Sequence, residues 1–324
     1  MKMFSELVMF SHTLFSLPFA IISMVWAAGG WPSGHMMLWG LIALIGARNG
    51  ANAFNRLVDR TFDGNNPRTA HRHLPQRLLA EKEVILFIII NYVLFIVASG
   101  MLNLLCLVLS PVAIVLISSY SYTKRFTFLS HLYLGFVIAS APIGAWFAVT
   151  GNIAFTPFVI GTVVMLWIAG FDIIYGTQDI EFDRKNGLWS IPSFFGLENA
   201  LWISKGLHFI MVMLLLFLYL WRDLGWMYLV GIGVATLLLM TEHKIIKPAN
   251  RKLMKVASYN LNQVISMVIL LCTLIDYFFT LIRGGGVGGR RVGCAGGWGA
   301  ALRGIFGLPV AVNFGFPDYN RWLR

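Results

Sequence analysis

Charge is what this sequence has least of. Asp, Glu, Lys and Arg make up 12% of its 324 residues and hydrophobic residues 58%, whereas a soluble domain carries about 25% charged residues to wet its surface. Mean hydropathy is +0.74, and 25 Phe and 11 Trp need shelter from water. This excludes a soluble multidomain protein, a disordered chain and a collagen-like one, and predicts an all-α integral membrane protein. Cysteine is scarce too. Cys106 and Cys272 lie in apolar stretches and Cys294 in a glycine-rich tail, with no CxxC pair and no Cys/His spacing suited to zinc, so they read as reduced and structural. The net charge of +11 comes from basic residues scattered between apolar segments. Such scatter reads as short cationic loops beside a membrane rather than a nucleic-acid surface.

A spanning helix needs about 20 mainly apolar residues. Nine stretches qualify, near 7–28, 35–55, 84–101, 104–122, 131–149, 155–175, 201–221, 226–242 and 262–282. Residues 1–10 carry no clear cleavage site, so the first helix is expected to be retained. Arg56, Arg60, Arg68, Arg72, Arg77 and Lys82 follow the second stretch, Lys124 and Arg125 the fourth, Arg184 and Lys185 the sixth, and Lys244, Lys247, Arg251, Lys252 and Lys255 the eighth. The loops near 29–34, 101–103 and 150–154 contain no Lys or Arg, and the remaining one has only Arg222. By the positive-inside rule the amino terminus and the basic loops face the cytoplasm, in a multi-pass protein of the cell inner (cytoplasmic) membrane. Residues 284–324 break the pattern with 12 of the 32 glycines, five arginines and one acid, Asp318. They are expected to form a flexible or non-native tail, and residues 1–283 the membrane domain.

Acids number only 14, and five aspartates among them form two clusters on the basic side. The first runs from Asn55 through Asp59 and Asp63; the second holds Asp172, Tyr175, Asp179, Asp183, Gly187, Ser190 and Pro192. Within each cluster the paired aspartates are four apart, one helical turn, and so share a face. Asp59 and Asp179 lie 120 residues apart, as do Asp63 and Asp183, and each pair ends an even-numbered span. The spacing predicts two similar halves facing one cavity. Four carboxylates in a low-dielectric cleft repel unless cations lie between them. Hard oxygen ligands without His or Cys favour Mg²⁺, which is usually shared between one or two carboxylates and a substrate phosphate. Nearby arginines and Lys124 suit phosphate oxygens, so the expected substrate is a di- or polyphosphate carried on a lipid.

At these residues the sequence strongly resembles the UbiA superfamily of membrane prenyltransferases. Its NxxxDxxxD motif is complete in Asn55, Asp59 and Asp63, and its DxxYxxxDxxxDxxxGxxSxP motif in Asp172 through Pro192. Asn66-Pro-Arg-Thr-Ala70, Tyr122-Thr-Lys-Arg125 and Pro142-Ile-Gly-Ala-Trp146 also look like the family, and the resemblance covers roughly residues 5–282. It implies a nine-helix bundle around a central cavity that opens sideways to lipid. Two Mg²⁺ ions held by the aspartate motifs would bind the diphosphate of a polyprenyl donor. The subgroup implied is the bacterial 4-hydroxybenzoate polyprenyltransferases of ubiquinone synthesis and their menaquinone-pathway relatives. After Thr69, however, Ala70-His-Arg-His-Leu-Pro-Gln-Arg77 departs from the family's usual Ala-Asn-Arg-Pro-Leu-Pro-Ser-Gly, which leaves the metal site intact and loosens the acceptor assignment.

The resemblance implies a role for each residue. Asn55, Asp59, Asp63, Asp179 and Asp183 are expected to hold the metal, and Arg68, Arg72, Lys124 and Arg125 to clamp the diphosphate. Asp172 and Tyr175, one to two turns deeper, sit where an aromatic acceptor should rest. Asp172 either orients the phenol or takes the ring proton, or merely holds Asn55 or Tyr175. His131 reads as interfacial, His71 and His73 as loop markers, and Asp276 lacks a visible partner. Two rivals are weighed against this. CDP-alcohol phosphotransferases pack their acids into one short stretch, unlike these. Transporters place acids near the bilayer midplane, and these cluster at its basic edge.

Overall fold

The computed structural model describes residues 13–245 and 251–283. Helices occur in the order α1 (Thr13–Ala28), α2 (Gly34–Val58), α3 (Arg60–Asn65), α4 (Glu81–Leu102), α5 (Leu104–Thr123), α6 (Ser130–Thr150), α7 (Phe155–Gly176), α8 (Ile180–Lys185), α9 (Ile191–Phe195), α10 (Leu197–Trp221), α11 (Trp226–Ile245) and α12 (Arg251–Arg283). No strand occurs among the described residues. The chain divides into two units, Met1–Phe279 and Thr280–Arg324, and the site and the core lie in the first. The expected tail, 284–324, falls outside the described residues, as do residues 1–10.

Among the described residues a helix falls in each of the nine expected stretches, yet seven are long and apolar enough to cross a membrane: α4, α5, α6, α7 with its continuation to Lys185, α10, α11 and the Asn260–Thr280 part of α12. α1 is a shorter apolar helix. α2 has 25 residues but is interrupted by Arg48, Asn49, Asn52, Asn55 and Arg56. The shortfall has a physical reason: much of this polar set turns toward an internal cavity rather than toward lipid.

Local chemistry sets the ends. Ser33 Oγ accepts from Met36 N–H to cap α2, and Asn103 Oδ1 accepts from Cys106 N–H at 2.9 Å to start α5, both as side-chain N-caps. Gly151, at φ 63°, closes α6 in a left-handed turn. α7 forms the central post, buried along most of its length. It can lie hard against α6 because Gly135 has no side chain: a Cβ there would collide with Met165 O. Lipid gives helices no hydrophobic reason to associate, so such small-residue contacts hold the bundle together.

The two sides of α7 differ. One faces a solid core in which Trp167, Ile160 and Ile168 meet Phe15 and Phe19 of α1, Met211 and Leu215 of α10, and Ile265 and Ile269 of α12. Trp167 Nε1 donates to Asn262 Oδ1 at 2.6 Å there. Asp276, expected to lack a partner, accepts from the N–H groups of Gly225, Met227 and Tyr228 at 2.7, 3.1 and 3.3 Å and so caps the start of α11. The other side opens into a cavity bounded by α1, α2, α4, α5 and α6.

Candidate active site

The first motif keeps helical register while bending. Asp59 leaves helical geometry at φ −92°, ψ 3°, yet its N–H still donates to Asn55 O at 2.9 Å and Asp63 N–H to Asp59 O at 2.8 Å. Asn55 Nδ2 donates to Asp59 Oδ2 at 2.8 Å. Then Asn66-Pro67-Arg68-Thr69 turns the chain back: Asn66 Oδ1 accepts from Arg68 N–H at 2.9 Å, an Asx turn, and Thr69 Oγ1 donates to Asp63 O at 3.0 Å. The turn aims Arg68 across the cavity at the second motif.

There a 3-10 turn at Thr177–Asp179 joins α7 to α8. Gly187, at φ 65°, supplies the left-handed residue that folds the chain over α8, which is what only glycine does without strain. Ser190 Oγ thereby reaches Asp183 Oδ2 at 2.9 Å while accepting from Ser193 N–H to cap α9. Trp189 N–H donates to Lys124 O at 2.6 Å, docking the end of α5 beside the motif.

The two motifs meet at one mouth, and each carboxylate has a basic neighbour. Arg68 donates from Nε and Nη2 to Asp179 Oδ1 and Oδ2 at 2.9 and 2.6 Å, and from Nη1 to Tyr175 Oη at 3.0 Å. Asn66 Nδ2 adds a 3.3 Å bond to Asp179. Arg72 Nη1 lies 2.6 and 2.7 Å from the two oxygens of Asp63. Lys124 Nζ stands 3.7 Å from Asp183, and Arg125 Nη2 3.6 Å from Asp59. The cations that the four acids require are thus the expected phosphate clamps. Burial, then the nearby Asp63 charge, raises the Asp59 pKa above the ordinary carboxylate range, against the opposing pull of Arg125 and Lys124. Burial works against the Lys124 ammonium, but Asp183, Asp172 and Asp179 outweigh it and raise its pKa. The Arg68 charge is likewise held, against burial, by its bonds to Asp179.

Behind the mouth lies a cavity of about 870 Å³. All eleven residues singled out from the sequence line it: Asn55, Asp59, Asp63, Arg68, Arg72, Lys124, Arg125, Asp172, Tyr175, Asp179 and Asp183. Two lining residues escaped the sequence reading. His131, expected at the interface, is buried, and its Nδ1 pairs with Asp172 Oδ2 at 2.7 Å while Nε2 has no partner. Asp172 therefore engages His131, whose ring packs over Gly176, where a Cβ would stand 2.8 Å from Cε1. Arg48, on α2 two turns deeper than Asn55, also lines the cavity with an unpartnered buried Nε. A lone arginine within an apolar span was the available signal, because a charge at that depth has functional use by default.

The donor set suits Mg²⁺. Its atoms are all oxygen, and among the described residues no three His, Cys, Asp or Glu side chains converge into a closed set of metal ligands. A closed tetrahedral zinc site needs such convergence. Mg²⁺ instead keeps its waters and is usually completed by substrate phosphate. Asn55, Asp59, Asp63, Asp179 and Asp183 would hold it.

Membrane helices around a cavity with carboxylates at its mouth define a class of intramembrane transferase. The chain belongs to the UbiA prenyltransferase family, whose model matches residues 16–271. A 4-hydroxybenzoate octaprenyltransferase of Vibrio campbellii is 30% identical over 257 residues, 79% of this chain and 89% of that protein. One from Methylobacillus flagellatus is 28% identical over 244 residues, 72% of this chain and 82% of its own length. The apo structure of a UbiA homolog from Aeropyrum pernix matches with a TM-score of 0.75 at 30% identity, over 82% of this chain and 98% of that one. A UbiA homolog from Archaeoglobus fulgidus, solved with GPP and Mg²⁺, shares the fold with a TM-score of 0.64 at 19% identity, over 85% of this chain and 99% of its own.

Proposed function

We propose that this enzyme transfers a polyprenyl group from polyprenyl diphosphate to an aromatic carboxylic acid, 4-hydroxybenzoate first among them, in a Mg²⁺-dependent reaction of quinone biosynthesis. The observation that carries this reading is the order of charges along one cavity. Paired carboxylates with four basic side chains stand at the mouth, Asp172 and His131 lie just below, and Arg48 is deeper still. A diphosphate needs the first, a phenol the second and a ring carboxylate the third.

When bound, Mg²⁺ supplies Lewis-acid stabilisation of the leaving diphosphate. Arg68, Arg72, Lys124 and Arg125 hold its oxygens, with Arg68 offering a planar fork. Breaking the allylic C–O bond leaves a delocalised cation. The electron-rich ring of the acceptor forms the new C–C bond, and the displaced ring proton passes to Asp172, which His131 orients. Tyr175, bonded to Arg68, fixes the clamp relative to the acceptor. Arg48 pairs with the acceptor carboxylate, fitting 4-hydroxybenzoate and equally a dihydroxynaphthoate of menaquinone synthesis. The catalytic domain is residues 1–283, with nine spans in two similar halves and the tail 284–324 apart from it. The mouth faces the cytoplasm, a reading supported by Arg56, Arg60, Arg68, Arg72, Lys124 and Arg125 all lying at that end.

Membranes carrying the protein, given radiolabelled polyprenyl diphosphate and 4-hydroxybenzoate with Mg²⁺ or with EDTA, test the reading. Metal-dependent product that disappears in Asp59→Ala and Asp179→Ala supports it. Product with a dihydroxynaphthoate alone moves the acceptor and keeps the mechanism. A folded protein that prenylates no aromatic acid sinks it.

A further inference from the structure

The cavity is much longer than the site at its mouth. Along α6 its wall runs from His131 through Ala141 and Gly144 to Ala148. At 1.5 Å per residue that is about 25 Å, most of the roughly 30 Å hydrocarbon core of a bilayer. Gly144 lies 13 residues beyond His131, about 20 Å from it along the helix. The far end is also where α2 residues Leu38 and Leu41 line the cavity while remaining exposed, so the passage continues to the lipid side.

Three glycines line this cavity, and they are not equivalent. A Cβ on Gly40 would meet Met24 Cε at 3.4 Å, and one on Gly176 would meet His131 Cε1 at 2.8 Å; a Cβ on Gly144 would meet nothing within 4 Å. Gly144 therefore borders open space. The walls on either side of it are pinned: Ser23 Oγ donates to Pro142 O at 2.6 Å, tying α1 to α6. Asn103 Nδ2 donates to Phe147 O at 2.8 Å and Ala148 O at 3.2 Å, tying the start of α5 to the same helix. A side chain placed at 144 would enter the passage rather than push the helices apart. Glycine inside a helix is less stable than alanine, so the open space is gained against local helix stability.

We infer that Gly144 determines which prenyl chains the cavity admits, keeping the passage open to the part of a long chain that a short donor does not reach. The inference rests on the prenyl-transfer reading above and names a specificity determinant within it. A geranyl chain anchored at the mouth ends short of Gly144. An octaprenyl chain must pass it.

The test measures kcat/KM for geranyl and octaprenyl diphosphate with the intact protein and with Gly144→Ala, Gly144→Leu and Gly144→Phe. Gly206→Leu on α10, where a Cβ also meets nothing but which does not line this cavity, serves as the control. Octaprenyl transfer should fall in the order Ala, Leu, Phe, by about tenfold or more for the larger two, the scale at which a pocket rejects excess bulk. Geranyl transfer should persist in all three and report that each variant is folded. Unchanged selectivity, or equal loss on both donors down to the Ala variant, overturns the inference. Failure of the unaltered protein to transfer from either donor is a different result, removing the proposed function and the inference with it.

Discussion

Arg68 is the residue through which the two acidic motifs communicate. It donates two parallel bonds to Asp179 and a third to Tyr175, and only a guanidinium offers donors in that fork. Arg68→Lys keeps the charge and loses the geometry. A charge-assisted bond is worth about 1.5–3 kcal/mol, so we expect kcat/KM for the donor to fall roughly 10- to 100-fold. A lysine variant within twofold of the parent would show the fork to be dispensable. Arg48 makes the complementary case on the acceptor side. Arg48→Gln should raise KM for 4-hydroxybenzoate by about 10- to 100-fold on the same scale, leaving KM for the prenyl donor in place. Equal changes in both constants would mean that Arg48 supports the bundle instead. These residues also mark how far sequence carries. The aspartates were legible because a four-residue spacing encodes one helix face wherever the helix lies. His131 was not, since its pairing with Asp172, 41 positions away in the chain, depends on how α6 packs on α7.

At the scale of the element, contacts between backbones decide the geometry. α6 reaches α7 through Gly135, whose Cβ would strike Met165 O, and α2 reaches α4 through Gly46, whose Cβ would stand 2.8 Å from Asn91 O. A carbonyl in a helix cannot swing aside as a side-chain tip can. Gly135→Ala and Gly46→Ala should each destabilise the protein by about 1–3 kcal/mol, the usual size of overpacking, read as a lower Tm in detergent. Gly206→Ala, exposed and free of neighbours, should match or exceed the parent. A raised Tm in the first two variants would contradict the packing described. Hydropathy located the seven helices long and apolar enough to cross a membrane because lipid-facing positions dominate their composition. It missed α3, α8 and α9, short helices that start just after Asp59, Asp179 and Ser190 at the mouth. It also started α12 eleven residues late: Arg251, Lys252 and Lys255 propagate a helix as readily as apolar residues do, but outside the stretch that hydropathy detects.

At the scale of the whole molecule, one side of α7 is packed solid and the other is hollow. This asymmetry answers how a membrane bundle keeps four carboxylates near a cavity without collapsing or flying apart. The solid side supplies the apolar and aromatic packing. The hollow side is held at its mouth by Arg68–Asp179, which joins the two motifs, by Arg72–Asp63 within the first, and by Lys124–Asp183 and Arg125–Asp59, which tie the end of α5 to both. Because protein cations already offset the acids, the fold is expected not to need a metal to do so. That separates this site from structural metal centres, where removing the ion unfolds the domain. EDTA should therefore abolish prenyl transfer while moving Tm by no more than about 1 °C, the equivalent of less than roughly 1 kcal/mol in a chain of this size. The double variant Arg68→Ala/Arg72→Ala reverses the dependence. It leaves two buried carboxylates unpaired, a loss of about 3–5 kcal/mol for each such pair broken, and Mg²⁺ should then raise Tm by occupying the charge that the arginines had balanced. Thermal scans of both proteins with and without Mg²⁺ read this directly. If EDTA alone unfolds the parent, the arginines are not the counterions that hold the mouth together.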